Sequence, residues 1–473
     1  MKLAFLSALL PGVLAAASPE PLKNANHIFN AIHASMRQWG SSIHHNGMSF
    51  FLASTPAGTR LYHGNADANP IQEIGWMAFE PEHAMVFARP PRRGPKDDDN
   101  RPRQEVLGQE NLEQDRANGW LHTYQTTREL RLLYIDGTSA GKSRIGTLDL
   151  QDRIVFNDTI DGGVSMEDAR ARKVCELAGA EWQGRLDGVI RMAAGFEIIL
   201  CAPEKILETV KIMPVRKDEQ NEGGNKLRAK SGDMLRAITS RFNGIGGDRV
   251  RVYYEHFVTA YTFNLDLWPK NSTVPRLKHL SSEDLTPIRH NLTALILDHE
   301  PNITASVNWQ FIADMIVARY GRFLQGLAHG QRHHTKHDDA NHTPRVQIKH
   351  LMAGFGDDIE ESISLCSTQF LSMPTDNSPL AHKALYAISN KICSTLTPLQ
   401  SETVEKVVHD TVRGLMHDLD WTIWKECRGC KGDEFCAIPI WPQGTQEDFE
   451  HPKCRKFDEG WSRENGYWGE IWR

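Results

Sequence analysis

The sequence predicts an α+β N-terminal domain followed by an all-α domain and a disulfide-rich C-terminal tail. Three observations carry that expectation. Short apolar runs bounded by turn residues fill residues 24–205, the hydrophobic period lengthens to three and four beyond residue 230, and four of the eight cysteines crowd residues 427–454. The expected boundaries are a leader over 1–17, the α+β domain over 24–215, a linker over 216–229, the all-α domain over 230–420 and the Cys-rich tail over 421–473. A chain of 473 residues is long enough for two or more domains.

The first residues predict an address. Met1-Lys2 precedes an apolar run from Leu3 to Leu14, and Ala15-Ala16-Ala17 stands before Ser18. A positive charge, a short apolar core and a small-residue cleavage site are the parts of a secretory signal peptide, cleaved here near Ala17-Ser18. The run is shorter than the about 20 residues that span a bilayer. The expectation is a secreted, soluble protein with no membrane span and no C-terminal anchor or retention signal. A net charge of −6 gives no electrostatic footprint for nucleic acid or an anionic membrane. Five sequons, at Asn157, Asn271, Asn291, Asn302 and Asn341, offer N-glycan sites in that compartment.

In the first domain the expected strands are Ser49–Leu52, Arg60–Tyr62, Trp76–Phe79, Leu130–Ile135, Gly188–Arg191 and Phe196–Leu200. A helix is expected from Met166 to about Gln183, with Ser165 at its N-cap. Pro90 to Asn118, rich in proline and charge, reads as a surface loop, and the polar, glycine-marked run Lys217–Asn225 reads as a boundary. Beyond it, Val307, Phe311, Ile312, Met315, Ile316, Tyr320, Phe323, Leu324 and Leu327 form one helical stripe. Val404, Val407, Val408, Val412, Leu415, Met416 and Leu419 form another. Such stripes are core faces.

An oxidising compartment favours disulfides for the eight cysteines. Cys427-x2-Cys430-x5-Cys436-x17-Cys454 suits two bridges stapling a loop-rich tail better than a zinc ribbon, whose second ligand pair would be split. Cys175, Cys201, Cys366 and Cys393 are free to pair within their own halves, with connectivity open.

Three constellations could carry chemistry. The first joins Leu61-Tyr62-His63-Gly64 at a strand end, the strand, turn and helix of Trp76–Ala88, and Glu197 inside the apolar run Phe196–Leu200. A carboxylate in such a strand faces water or a group that needs it, because burying it unpaired is costly. The second is Gly137-Thr138-Ser139-Ala140-Gly141 after the apolar run ending at Ile135, a match to the G-x-S-x-G elbow that would make Ser139 a nucleophile. The polar segment after it, broken by Gly146, lacks the packed helix an elbow needs. A phosphate-binding loop fails by one residue between Gly137 and Gly141. The third is the group His329, His333, His334, His337, His342 and His350, which with Gly330 and Pro344 reads as a solvated loop rather than a metal site. Asp357-Asp358 and Glu360-Glu361 read as the acidic first turn of a helix. No metal site is expected.

The first constellation resembles the ADP-ribosyltransferase fold of the poly(ADP-ribose) polymerase and RNA 2′-phosphotransferase type. There a strand-borne His-Gly leads, a strand and helix follow, and a Glu on a late strand closes the site. The resemblance implies NAD as co-substrate. It implies that His63 bonds the nicotinamide ribose, that the Gly64 backbone holds the carboxamide, and that Glu197 orients the ribose hydroxyls and stabilises the oxocarbenium-like charge. Asn65 follows the His-Gly pair where that family usually carries Thr or Ser, and Phe87 is the nearest match to its stacking tyrosine. Over the whole chain, Trp76-x-Ala78-Phe79-Glu80, Leu132–Gly137 and Asp187–Met192 resemble a family of secreted filamentous-fungal proteins of unassigned activity. Three expectations stand side by side: an NAD-using transferase or glycohydrolase, a non-catalytic secreted binding protein, and a serine hydrolase using Ser139. The sequence names no partner.

Overall fold

The structure is a computed structural model that describes residues 22–44, 47–88, 117–143, 145–160, 166–216, 226–239, 245–270, 272, 274–299, 307–329, 343–456 and 467–468. The leader, most of the Pro90–Asn118 segment, Ser165, the Lys217–Asn225 boundary and His333, His334, His337 and His342 lie outside the described residues.

Alternating apolar residues and short turns build a nine-stranded sheet. Its strands are β1 (Ser49–Thr55), β2 (Arg60–Asn65), β3 (Gly75–Ala78), β4 (Ala117–Thr126), β5 (Leu130–Ile135), β6 (Gly188–Met192), β7 (Phe196–Leu200), β8 (Leu207–Arg216) and β9 (Arg251–Thr259). The spatial order is β8-β4-β2-β3-β7-β6-β5-β1-β9. β5 and β6 pair in parallel and the other neighbours antiparallel. β1 is buried at every position, as the uninterrupted run Ser-Phe-Phe-Leu-Ala-Ser-Thr requires of a strand covered on both faces.

Helices α1 (Ala25–Ala34) and α2 (Gln38–Ile43) precede the sheet, α3 (Pro81–Met85) follows β3, and α4 (Glu167–Gly179) precedes β6. The helical C-terminal part comprises α5 (Lys226–Thr239), α6 (Ser282–Asp298), α7 (Trp309–His329), α8 (Pro344–Met352), α9 (Ile359–Ser367), α10 (Leu380–Leu399) and α11 (Glu405–Leu419). The acidic turn is the expected helix start: Asp358 caps α9, accepting the Glu361 N–H at 2.9 Å. Among the described residues no helix is long and apolar enough to cross a membrane.

Two expectations shift. The stripe of α7 is rotated: Trp309, Ala313, Ile316, Val317, Tyr320, Leu324 and Leu327 are buried, while Val307 and Phe311 are exposed. The stretch 230–420 is also not wholly helical, because β9 lies within it and pairs with β1. Its run Val-Tyr-Tyr-Glu-His-Phe-Val-Thr is β-branched and aromatic, which suits a pleated, half-buried surface. One apolar core runs from the sheet into the helices, with α1 packed on α10.

The cysteines pair as Cys175–Cys201, Cys366–Cys393, Cys427–Cys436 and Cys430–Cys454, with Cα–Cα separations of 5.2, 5.9, 5.5 and 5.3 Å. The first two bridges stay within their own halves and the last two staple the tail. The sulfurs of Cys427, Cys430 and Cys454 gather within 4.8 Å because the two tail bridges are neighbours, which leaves no thiolate for zinc. The tail adds a hairpin, β10 (Glu434–Ala437) with β11 (Lys453–Lys456), and packs Phe435, Ile438 and Ile440 against Trp39, Ile43 and Ile238.

Candidate functional site

Register places one row of residues across four adjacent strands. Tyr62 on β2 pairs with Ala78 on β3, Ala78 with Glu197 on β7, and Glu197 with Arg191 on β6. Directly paired residues point to the same face, so an aromatic, a methyl, a carboxylate and a guanidinium stand side by side. Over the β2–β3 edge lies α3. It approaches closely because Gly64 has no side chain: a Cβ there would stand 2.0 Å from the Ala84 carbonyl oxygen. Pro81 begins α3 at its first turn, where a missing N–H is harmless. Arg249 anchors the turn before it, donating to the Phe79 carbonyl at 2.8 Å and to Glu80 at 2.6 Å.

These elements enclose a pocket of about 470 Å³. One wall is Tyr62, His63, Gly64 and Trp76; α3 adds His83, Ala84 and Phe87. The turn after β5 supplies Ala140 and Lys142, the start of α4 supplies Glu167 and Asp168, and β6, β7 and the tail supply Arg191, Glu197 and Trp441. Aromatic rings with a few convergent charges are the usual make-up of a small-molecule site.

The charges are organised around Arg191, whose side chain is 3% exposed. Its Nε donates to Glu197 Oε1 at 2.8 Å, its terminal nitrogen pairs with Glu167 Oε2, and Lys142 meets Glu167 Oε1 at 2.8 Å. Arg170, itself buried, holds Asp152 at 2.8 Å beside this group. The two carboxylates on Arg191 are driven apart. Burial outweighs Arg191 at Glu197 and raises its pKa. Burial also acts most strongly on Glu167, but Arg191 and Lys142 together overcome it and hold the pKa below the usual value. Such opposed environments are how one site keeps an acid and a base.

All four residues expected at an NAD site, His63, Gly64, Phe87 and Glu197, line this pocket. Their settings differ. Phe87 is 57% exposed, a ring free to meet a ligand. Glu197 has found the group that needs it, Arg191. Gly64 uses its missing side chain to seat α3. His63 pairs in register with His122, one pleat away from Tyr62, and its Nδ1 meets the Trp76 carbonyl at 2.8 Å. Burial lowers the His63 pKa, so its imidazole is neutral at pH 7.

The elbow expected at Ser139 does not form a nucleophile. Gly137 does take the left-handed backbone of a turn, with φ +69°. But Ser139 is fully buried, and its hydroxyl donates to the Ile135 carbonyl at 2.8 Å and accepts the Met192 N–H at 3.4 Å. Both partners are backbone, so the hydroxyl closes the turn onto β6. Of the histidine group, His329 bonds its own helix at the Gln325 carbonyl and His350 is exposed on α8. Among the sequons, Asn157 and Asn291 are exposed; Asn271, Asn302 and Asn341 lie outside the described residues.

Arg191, Glu167, Lys142, His83 and Trp441 were not picked out from the sequence. Arg191 had a signal of the same kind as Glu197, a charge inside an apolar strand, and the three-residue turn Ala193-Ala194-Gly195 sets the two face to face. The other four had none, since turn, helix start and tail come together only in the fold.

Strands β2, β3, β6 and β7 with α3 and α4, which build the wall, lie within the stretch that resembles a known domain. Residues 18–119 and 95–222 match the YPL277C N-terminal domain. Two relatives come from Saccharomyces cerevisiae. Uncharacterized protein YOR389W is 23% identical over an alignment of 537 residues, covering 90% of this chain and 84% of the yeast one. Uncharacterized protein YPL277C is 31% identical over 201 residues, 38% of this chain and 40% of the yeast one. No solved structure matches. Trp441 lies beyond the domain match.

Proposed function

We propose that the pocket is the NAD site of an ADP-ribosyltransferase or NAD glycohydrolase that works outside the cytosol. One observation carries the reading. Four residues singled out by motif resemblance, spread over 134 positions from His63 to Glu197 and including the exposed Phe87, share a single pocket with Lys142, Glu167 and Arg191. In this reading the nicotinamide ring lies against Phe87 and Trp76, and Glu197, held by Arg191, receives the ribose hydroxyls. The bond from ribose to the nicotinamide nitrogen breaks, its electron pair leaves with nicotinamide, and the oxocarbenium-like ribose is met by the carboxylates until water or an acceptor nucleophile adds. By register the His63 ring lies on the face opposite Tyr62 and Glu197, its Nδ1 engaged with the Trp76 carbonyl, so in this reading His63 borders the site through its strand and, of the two, Glu197 alone meets the ribose.

The four disulfides and the exposed sequon residues Asn157 and Asn291 support a secreted protein, in keeping with the resemblance to secreted filamentous-fungal proteins. Sequencing the N-terminus of the exported protein tests this: a start near Ser18 is expected, and a retained Met1 would overturn it.

The test of the activity is nicotinamide release from NAD by wild type beside Glu197→Gln. Turnover lost at least 100-fold in a variant with an unchanged circular dichroism spectrum is expected, as for removal of one electrostatic stabiliser. Equal turnover, or none in wild type, would overturn it. The Arg191–Glu197 pair favours a second reading, because a carboxylate already neutralised can hold a ligand without chemistry. NAD binding by calorimetry with no nicotinamide released would establish that one.

A further inference from the structure

Strand register decides which side chains of the sheet can reach the pocket. Tyr62, Ala78, Glu197 and Arg191 are paired, each with the next, across β2, β3, β7 and β6, and so share one face. Gly64, two residues beyond Tyr62, lies on that face too, which is where α3 crosses. His63, between them, points to the other side. Its ring stands edge-on to that of its partner His122, with centroids 5.8 Å apart, and its Nδ1 meets the Trp76 carbonyl. The side chain that β2 turns toward the Glu197 face is that of Tyr62.

Tyr62 is half-buried, and it packs against the apolar cluster of Ala78, Ala84, Ala88, Leu121 and Val215 that joins the sheet to α3. That seat holds the ring, while the phenol hydroxyl has no hydrogen-bond partner among the described residues and remains open to solvent on the pocket side. Between Tyr62 and Glu197 stands only the Ala78 methyl. Neighbouring strands lie about 4.8 Å apart, so the two side chains rise from backbones roughly 10 Å apart over a low floor. Trp76, two residues before Ala78, borders that floor on the same face. A carboxylate accepts hydrogen bonds and a phenol both donates and accepts, so a ligand carrying several hydroxyls satisfies both ends of the slot. Aromatic rings beside it suit the C–H faces of such a ligand. The chemistry is that of a sugar ring.

We propose that Tyr62 is the sugar-positioning residue of this pocket, its hydroxyl bonding a ring hydroxyl of a ligand that lies over Ala78 toward Glu197. This deepens the NAD reading and rests on it for the identity of the sugar as the nicotinamide ribose. The role that motif resemblance gives to His63 passes to its neighbour, because the strand turns the phenol and not the imidazole to the pocket.

The test compares the full-length wild type with Tyr62→Phe, which removes the hydroxyl and keeps the ring in its seat. Nicotinamide release is followed with NAD and with two NAD analogues, one lacking the 2′ and one the 3′ hydroxyl of the nicotinamide ribose. Tyr62→Phe is expected to raise KM for NAD about fivefold, the loss of one uncharged hydrogen bond, with kcat held and the melting temperature near wild type. With the analogue that lacks the bonded hydroxyl, the two proteins are expected to have equal KM, which a merely structural role for Tyr62 would not produce. NAD turnover with equal KM in both proteins, or a KM rise that persists with both analogues, would remove the role of Tyr62 and leave the NAD reading. NAD bound without nicotinamide release, about fivefold more weakly by Tyr62→Phe in calorimetry, would sustain the role of Tyr62 and remove the turnover. No NAD binding and no turnover in wild type would overturn both.

Discussion

Arg191 and Glu197 stand opposite each other across the β6–β7 turn, 2.8 Å apart at Nε and Oε1, and the same guanidinium reaches on to Glu167. One buried cation thus fixes two carboxylates that belong to a strand and to the start of a helix. Removing it exposes the cost of both.

Arg191→Met is expected to destabilise the protein by about 3–5 kcal/mol, the range for stripping one partner from a buried ion pair. Denaturant unfolding measures it. Adding Glu197→Gln should recover part of the loss, because the uncompensated charge goes with it; strictly additive losses would show that the two residues are uncoupled.

Asp136, at the end of β5, is buried with its carboxylate accepting the Gly137 N–H at 2.8 Å and the Tyr134 hydroxyl at 3.3 Å. Burial pushes its pKa up to about 7 from 3.8 despite those bonds. Between these values the folded chain keeps a proton that the unfolded chain has lost. Stability from this group is therefore full below about pH 4 and declines as pH rises to about 7, by on the order of a few kcal/mol. Unfolding midpoints measured from pH 4 to 8 should show a shallower alkaline decline in Asp136→Asn than in wild type. Parallel curves would contradict the assignment.

Gly64→Ala should push α3 off the sheet, because the new methyl would meet the Ala84 carbonyl oxygen at 2.0 Å against rigid backbone. A loss of about 1–3 kcal/mol is expected, as for overpacking. Gly179→Ala, where the added Cβ meets nothing within 4 Å, should leave the melting temperature within a degree or two and serves as the control.

The bridge Cys175–Cys201 joins α4, which begins with Glu167, to the residue after β7, which carries Glu197. Replacing both cysteines by alanine removes a loop constraint of 26 residues, worth about 3 kcal/mol. Thermal unfolding checks the loss. A drop in ligand affinity larger than that of a surface variant of equal stability would show that the bridge also sets the carboxylate geometry.

Much of the fold was legible because it rests on local pattern. The runs 49–52, 130–135, 188–191 and 196–200 fell in strands, and the 3.6-residue periods became α7 and α11. The rotation of the α7 stripe was not legible, since Val307 and Phe311 continue the spacing and only the packing partner decides which side is covered. β4 hid behind a charged neighbour, and β9 hid within a helical stretch because its partner β1 lies some 200 residues earlier. At the site, Glu197 was legible as a charge out of place in an apolar strand. Lys142, Glu167 and Trp441 were not, because each looks ordinary where it stands in the chain and acquires meaning only beside Arg191 or the pocket.

The pairing of β1 with β9, and of α1 with the far end of the chain, also governs when the molecule can come into being. Asn30 on α1 donates its side-chain amide to the Leu419 carbonyl, 389 positions away. A chain ending at residue 222, where the domain match stops, would leave β1 as an open edge rich in phenylalanine and leucine, an invitation to wrong partners. Loop closure over such distances makes folding slow and late. The nascent protein must therefore remain unfinished until almost its last helix has been synthesised, and no N-terminal fragment released by early termination or proteolysis would inherit the sheet in its native form.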